Sequence, residues 1–140
     1  ILIRKDRYYH IFILRSKSTF GNIINIGGVT LEIGKELLKG NIDSIILSLL
    51  IKEPMYGYML SQSISNKTKR KFEIKESTLY LALKRLETKR YVSSWWEKAP
   101  NGVKRKYYKI SKEGIEFYKE KKVEWKELKQ FLDTFLEGGY

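Results

Sequence analysis

Apolar residues recur at helical spacing in four stretches of this chain, and between the third and the fourth the period shortens to that of a strand. Leu37 and Leu38, then Ile42, Ile45, Ile46, Leu49 and Leu50 follow an i, i+3, i+4, i+7 rhythm. That predicts an amphipathic helix over about 36–52, stopped by Pro54. Tyr56 and Gly57 open a second helix with Tyr58 or Met59, Leu60 and Ile64 turned inward, ended by Ser65, Asn66 and a basic run. Phe72, Glu73 and Ile74 alternate, which predicts a short strand pairing with a hairpin further on. In the third helix Leu79, Ala82, Leu83 and Leu86 fall on one stripe at about 100° per residue. Ser77, Leu81, Lys84 and Thr88 point the opposite way, flanked by Thr78, Tyr80 and Arg85.

The strand-like stretches are 92–96 and 104–110, joined by Pro100, Asn101 and Gly102. Asn-Gly predicts a hairpin because both residues tolerate positive φ. Trp95 and Trp96 alternate faces, so one is expected to pack inward and the other to cover a helix. Ser111 then suits an N-cap, with Glu113 in the first turn of a helix running to about Leu136. Tyr118, Trp125, Leu128, Leu132 and Phe135 fit a heptad seam, broken at Lys121 and widened by Phe131 and Leu136. A small domain cannot cover that much apolar surface, and a partner helix from a second subunit is the economical answer. The expected fold is mainly α with a small β-wing: a winged helix-turn-helix followed by a long C-terminal dimerisation helix.

Charge points to a partner. The chain carries +12 over its 140 residues, but residues 67–109 hold fourteen Lys and Arg against four acids. Residues 31–66 and 110–140 are each −1, and residues 1–30 supply +4. Four cations, Lys98, Lys104, Arg105 and Lys106, crowd the hairpin turn, and another cluster, Lys67, Lys69, Arg70 and Lys71, leads into the third helix. In an isolated hairpin such charges only repel. Along a phosphate backbone they are neutralised and release counterions. A lipid surface fits less well, because no basic helix here has the bulky apolar face that would enter a bilayer.

The rest of the composition mostly excludes. With no Cys there are no disulfides and no thiolate metal sites, which is compatible with the cytoplasm. A lone His10 and no Gly-rich phosphate loop leave no nucleophile–base pair, so the chain reads as a non-enzyme without cofactor or metal. No run approaches the roughly 18 apolar residues of a membrane span. Residues 1–30 mix apolar and basic positions without a sustained period, and the first Met is Met55, inside the second helix. They read as a non-native or disordered leader, with Leu31 as a start encoded by a non-Met codon. The expected division is leader 1–30, winged helix-turn-helix domain 31–111 and dimerisation helix 112–140.

Four stretches in order resemble the PadR family of bacterial transcriptional regulators. They are 37–50, from Leu37 to Leu50; the Pro54-Met55-Tyr56-Gly57-Tyr58 opening of the second helix; 77–87, from Ser77 to Glu87; and 102–114, from Gly102 to Gly114. Departures are Lys75-Glu76-Ser77 where the family usually has Ser-Pro-Gly, Leu81 where Pro is common, and Arg90 in place of a glycine helix stop. The resemblance implies a homodimer formed largely through the C-terminal helix. It also implies repression from a near-palindromic operator, with recognition helices in successive major grooves and wings along the flanking backbone. Some relatives release DNA on binding small aromatic compounds.

The candidate DNA contacts are Lys104, Arg105 and Lys106 on the wing, Lys71 before the third helix, and Ser77, Thr78, Tyr80, Lys84 and Arg85 on it. Tyr56 joins them, though Tyr56 and Tyr80 fit half-buried packing equally well. The candidate dimer seam is Tyr118, Trp125, Leu128, Leu132 and Phe135. Trp125 can stack on a small aromatic effector, or serve as dimer core. The alternative function is a helical module that binds aromatic ligands or proteins, with weak or no specific DNA binding.

Overall fold

Ile42–Leu50 (α1) is the hub of the domain, with Ile42, Ile46, Leu47, Leu49 and Leu50 all buried. The computed structural model describes residues 23–26, 29–32 and 40–137. The expected start of α1 near residue 36 therefore lies outside the described residues, as does most of the expected leader. Across the expected leader boundary at residue 30, Ile23–Ile26 (β1) pairs antiparallel with Val29–Glu32 (β2). No strand was expected there. The β-branched residues on either side of Gly27 and Gly28 are the composition a hairpin uses.

After α1 come Met55–Tyr56 (β3), Gly57–Lys67 (α2), Glu76–Thr88 (α3), Val92–Lys98 (β4), Lys104–Ile110 (β5) and Lys112–Leu136 (α4). The strands β3, β5 and β4 form one antiparallel sheet with β5 in the middle. Its inner face puts Met55, Val92, Tyr108 and Ile110 against α1–α3. This is a winged helix-turn-helix with a long C-terminal helix, the architecture expected from the pattern of apolar positions.

The strand beside the wing is β3, not residues 72–74. Phe72 and Ile74 lie on a segment outside the sheet and are only 5% and 7% exposed. Their alternation comes from two side chains plugging the core, while Met55 and Tyr56 already occupy the free edge of β5. Among the described residues no charged or hydrophilic side chain is buried, so the core is held by apolar packing.

Two helix ends break the usual residue preferences. α3 stops in a Schellman turn: Tyr91 N–H donates to Leu86 C=O at 2.9 Å and Arg90 N–H to Glu87 C=O at 3.0 Å. The left-handed position is Arg90, at φ 61°, where glycine is the unstrained choice. At the end of α2, Lys69 and Arg70 are also left-handed, at φ 53° and 59°. Thr68 Oγ1 braces that turn, accepting from Phe72 N–H at 3.2 Å and donating to Ile64 C=O at 3.0 Å.

α4 is anchored at its first turn. Ser111 Oγ caps it by accepting from Gly114 N–H at 3.0 Å, and donates to Arg90 C=O at 2.7 Å. Gly114 crosses the chain so closely that a Cβ there would stand 2.1 Å from Tyr91 O. Phe117 stacks on Tyr91 with ring centroids 4.4 Å apart. Beyond Lys121 the helix leaves the domain, and every apolar side chain from Val123 to Leu136 is exposed.

Candidate nucleic-acid interface

α3 presents the face that helical periodicity demands. Leu79, Ala82, Leu83 and Leu86 are sealed in the core, which leaves Ser77, Thr78, Leu81, Lys84 and Thr88 exposed. No side chain caps its N-terminus at Lys75. Glu76 in the first turn partly answers the orphan amides through the helix dipole. Tyr80 does two things at once: it is 49% exposed, and its ring covers Gly57, where an added Cβ would meet the phenolic oxygen at 3.0 Å. The lack of a side chain at Gly57 thus makes room for the Tyr80 ring.

The wing follows α3 through the Schellman turn. Its tip is a type I turn over residues 99–102, with Pro100 second and Gly102 left-handed at φ 84°. Gly102 N–H donates to Ala99 C=O and Ala99 N–H to Val103 C=O, both at 2.8 Å. Only Gly102 uses positive φ. Asn101 contributes differently, its Oδ1 accepting from Val103 N–H at 3.2 Å. The turn is a three-residue loop with a bulged glycine rather than a two-residue Asn-Gly turn.

Strand alternation then splits the wing cations. Lys104 and Lys106 share the face that continues the core, with Lys98 and Trp96 opposite them in register. Arg105 is on the outer face, its guanidinium 4.8 Å from the centre of the Tyr56 ring. Tyr56 meets Tyr107 edge-on at 5.3 Å, and Tyr107 stacks on Trp95 at 5.8 Å. Trp95 and Trp96 therefore differ from expectation. Trp95 belongs to an aromatic row on the outer face. Trp96 covers no helix and is 65% exposed, bordering an open cleft with Glu97, Lys98 and Lys104. The sheet's inner face runs out of core before reaching Trp96.

Two candidate cations already have carboxylate partners. Arg85 forms a bidentate ion pair with Asp43 at the start of α1, Nε donating to Oδ2 at 3.0 Å. That hydrogen bonding holds its pKa above the ordinary arginine value. Lys106 Nζ is 3.5 Å from Glu87 Oε2, and Ser94 donates to the other oxygen of that carboxylate. Asp43 and Glu87 gave no sign in the sequence beyond being acids in a basic region. Their partners lie 42 and 19 residues away, and only the fold brings them together. Lys71, Lys84 and Lys104 are exposed.

The second candidate region is the side of α4 facing α1. Tyr118, Trp125 and Leu128 line an open cleft of about 440 Å³ with Ile45, Ser44 and Ser48. Leu132 and Phe135 continue the stripe, 42% and 67% exposed. Among the described residues no helix is long and apolar enough to cross a membrane, and no acid or His cluster is suited to a metal.

Residues 46–120 match the transcriptional regulator PadR-like family. A transcriptional regulator from Clostridium thermocellum is 41% identical with a TM-score of 0.69, covering 74% of this chain and 98% of that one. A PadR family transcription regulator from Clostridium difficile is 38% identical with a TM-score of 0.61, covering 69% and 99%. An uncharacterized protein of Lysinibacillus sphaericus is 43% identical over 103 residues, 74% of this chain and 94% of that protein. With the family's motif region, winged helix and long last helix all present, this chain belongs to the PadR-like family of DNA-binding transcriptional regulators.

Proposed function

We propose that the protein is a homodimeric repressor that occupies a near-palindromic operator in the cytoplasm and is released by a small aromatic effector. What supports this reading is that an exposed, polar helix face is followed directly in the chain by a cationic wing. The exposed face of α3 (Ser77, Thr78, Leu81 and Lys84) leads through the Schellman turn into a wing bearing Lys104 and Arg105. Hydroxyls and Lys84 on the helix reach base edges and phosphates in a major groove. The wing follows the adjacent backbone, with Lys104 and Arg105 reaching phosphates from its two sides. Tyr80 and Lys71 flank the helix, and Tyr56 acts through Arg105, whose guanidinium it supports. Arg85 serves the joint between α3 and α1 first, through Asp43.

Dimerisation accounts for the open seam. Trp125, Leu128, Leu132 and Phe135 need a cover, and a second copy of α4 offers the same stripe in return. The cleft beside Trp125 and Tyr118 is where a planar effector fits. Ligand capture without DNA binding is the competing reading, and the cleft alone favours it.

Mobility-shift titrations with the upstream region of the protein's own operon separate the two. Binding should exceed that of random duplex by at least about a thousandfold and fall steeply with salt. Lys104→Ala with Arg105→Ala should flatten the slope of log K against log[salt] by about 2, since each phosphate contact contributes about 0.9. Equal binding to operator and random duplex overturns the repressor reading. A tryptophan-fluorescence titration with benzoates and phenols, lost in Trp125→Leu, tests the effector.

A further inference from the structure

Glu87, on the recognition helix, reaches across to both strands of the wing. It is the penultimate residue of α3 and takes a hydrogen bond from Ser94 on β4 and an ion pair from Lys106 on β5. The carboxylate thus bridges three elements and neutralises a lysine that stands between α3 and the wing tip. The geometry leaves Lys106 partly open to solvent, with its side chain 34% exposed, so it is within reach of an anion but already has one. Lys104, two residues along on the same face, has no carboxylate within ion-pair distance among the described residues.

We infer that Glu87 is a specificity-determining residue for DNA. It withholds Lys106 from the phosphate backbone and fixes the wing against α3 through Ser94. Non-specific affinity comes almost wholly from phosphate neutralisation, whereas specificity is the excess over it. A protein with ten surplus positive charges in 43 residues (67–109) gains discrimination by cancelling a cation near the groove. A carboxylate at that point also repels any phosphate that approaches off register. The inference rests on the DNA-binding reading but not on the operator, since its readout uses random duplex.

The test is the salt dependence of random-duplex binding by Glu87→Gln, Lys106→Ala, the double variant and Lys104→Ala. Gln keeps an oxygen to accept from Ser94 and removes the charge. Glu87→Gln should steepen the slope by about 1 and tighten binding on the order of fivefold near 0.1 M salt, the gain of one more phosphate contact. Operator preference should shrink by a similar factor. The double variant should return to the wild-type slope, and Lys106→Ala alone should leave the slope where it was, while Lys104→Ala flattens it. The inference is overturned if Lys106→Ala alone flattens the slope as much as Lys104→Ala, or if Glu87→Gln leaves random-duplex binding unchanged. The comparison of the two lysine variants stands by itself even where Glu87→Gln loosens the wing. Failure of the operator reading shows up separately, as equal binding of wild-type protein to both duplexes.

Discussion

In α3 the apolar stripe of Leu79, Ala82, Leu83 and Leu86 is at most 2% exposed, while in α4 the stripe of Trp125, Leu128, Leu132 and Phe135 is between 42% and 67% exposed. Both helices are amphipathic, and both carry cations away from the apolar stripe, Lys84 in α3 and several lysines in α4. The difference is in what remains unsatisfied. α3 has its apolar stripe completed by the domain, so beside Leu81 its open groups are hydroxyls and a cation, which suit a polyanion. α4 has its ion pairs completed internally, Lys121 with Glu124 and Lys129 with Asp133, both at 2.8 Å. Those pairs hold both lysine pKa values above the ordinary range. What α4 leaves open is hydrocarbon, which suits another protein surface. One helix finishes a domain and leaves a polar, cationic face open; the other is only begun by the domain.

The sharpest test of that contrast is at the joint. Gly114→Ala drives a Cβ into Tyr91 O and should cost about 3 kcal/mol or more, because backbone on both sides must move. Urea unfolding monitored by circular dichroism reads it, and a loss below about 1 kcal/mol would mean that α4 is not pinned there. Next comes a matched pair of truncations. Leu83→Ala should cost about 3 kcal/mol of domain stability by opening a core cavity. Leu128→Ala should change domain stability by less than about 1 kcal/mol, yet weaken self-association tenfold or more in sedimentation equilibrium. Similar effects on unfolding from both would erase the distinction between the helices.

Arg90→Gly tests how the sealed helix ends. Removing a left-handed Cβ relieves roughly 1–2 kcal/mol, offset in part by glycine's larger unfolded-state entropy, for a net gain of about 0.5–1 kcal/mol. A shift to a lower denaturation midpoint would show that the Arg90 side chain has a compensating role. The smallest expected effect is at Tyr108, buried against the wing's inner face. Burial, then the charges of Glu87 and Tyr80, raise its pKa above the ordinary value of 10.0. The folded state holds that proton more tightly than the unfolded state. Stability is therefore complete below about pH 10 and declines as pH climbs through the raised value. Tyr108→Phe should retain more of its melting temperature than wild type at about pH 11. Parallel losses in the two proteins would remove Tyr108 from the alkaline transition.

The stripe of α3, the cap at Ser111, the end of α4 near Leu136 and the paired wing strands were legible because each is a local rule: a period of 3.6, a hydroxyl before a helix, β-formers around a turn. Phe72 and Ile74 misled for the same reason, since alternation reports burial on one side without saying whether a neighbouring strand exists. Met55 and Tyr56 were hidden because a two-residue strand has no period to show. At the candidate interface the exposed positions of α3 and the wing were readable, but the engagement of Arg85 and Lys106 was not. Ion pairs between residues 42 and 19 positions apart depend on how α1, α3 and the sheet are stacked.

What the sequence determined by itself was which surfaces would be apolar, which cationic, and in what order along the chain, because side-chain chemistry and backbone period are properties of each segment alone. The tertiary structure decided which of those surfaces stay open. Packing α3 between α1 and the sheet closed one stripe and cancelled two cations, while the length of α4 carried its own stripe past the last residue that could cover it.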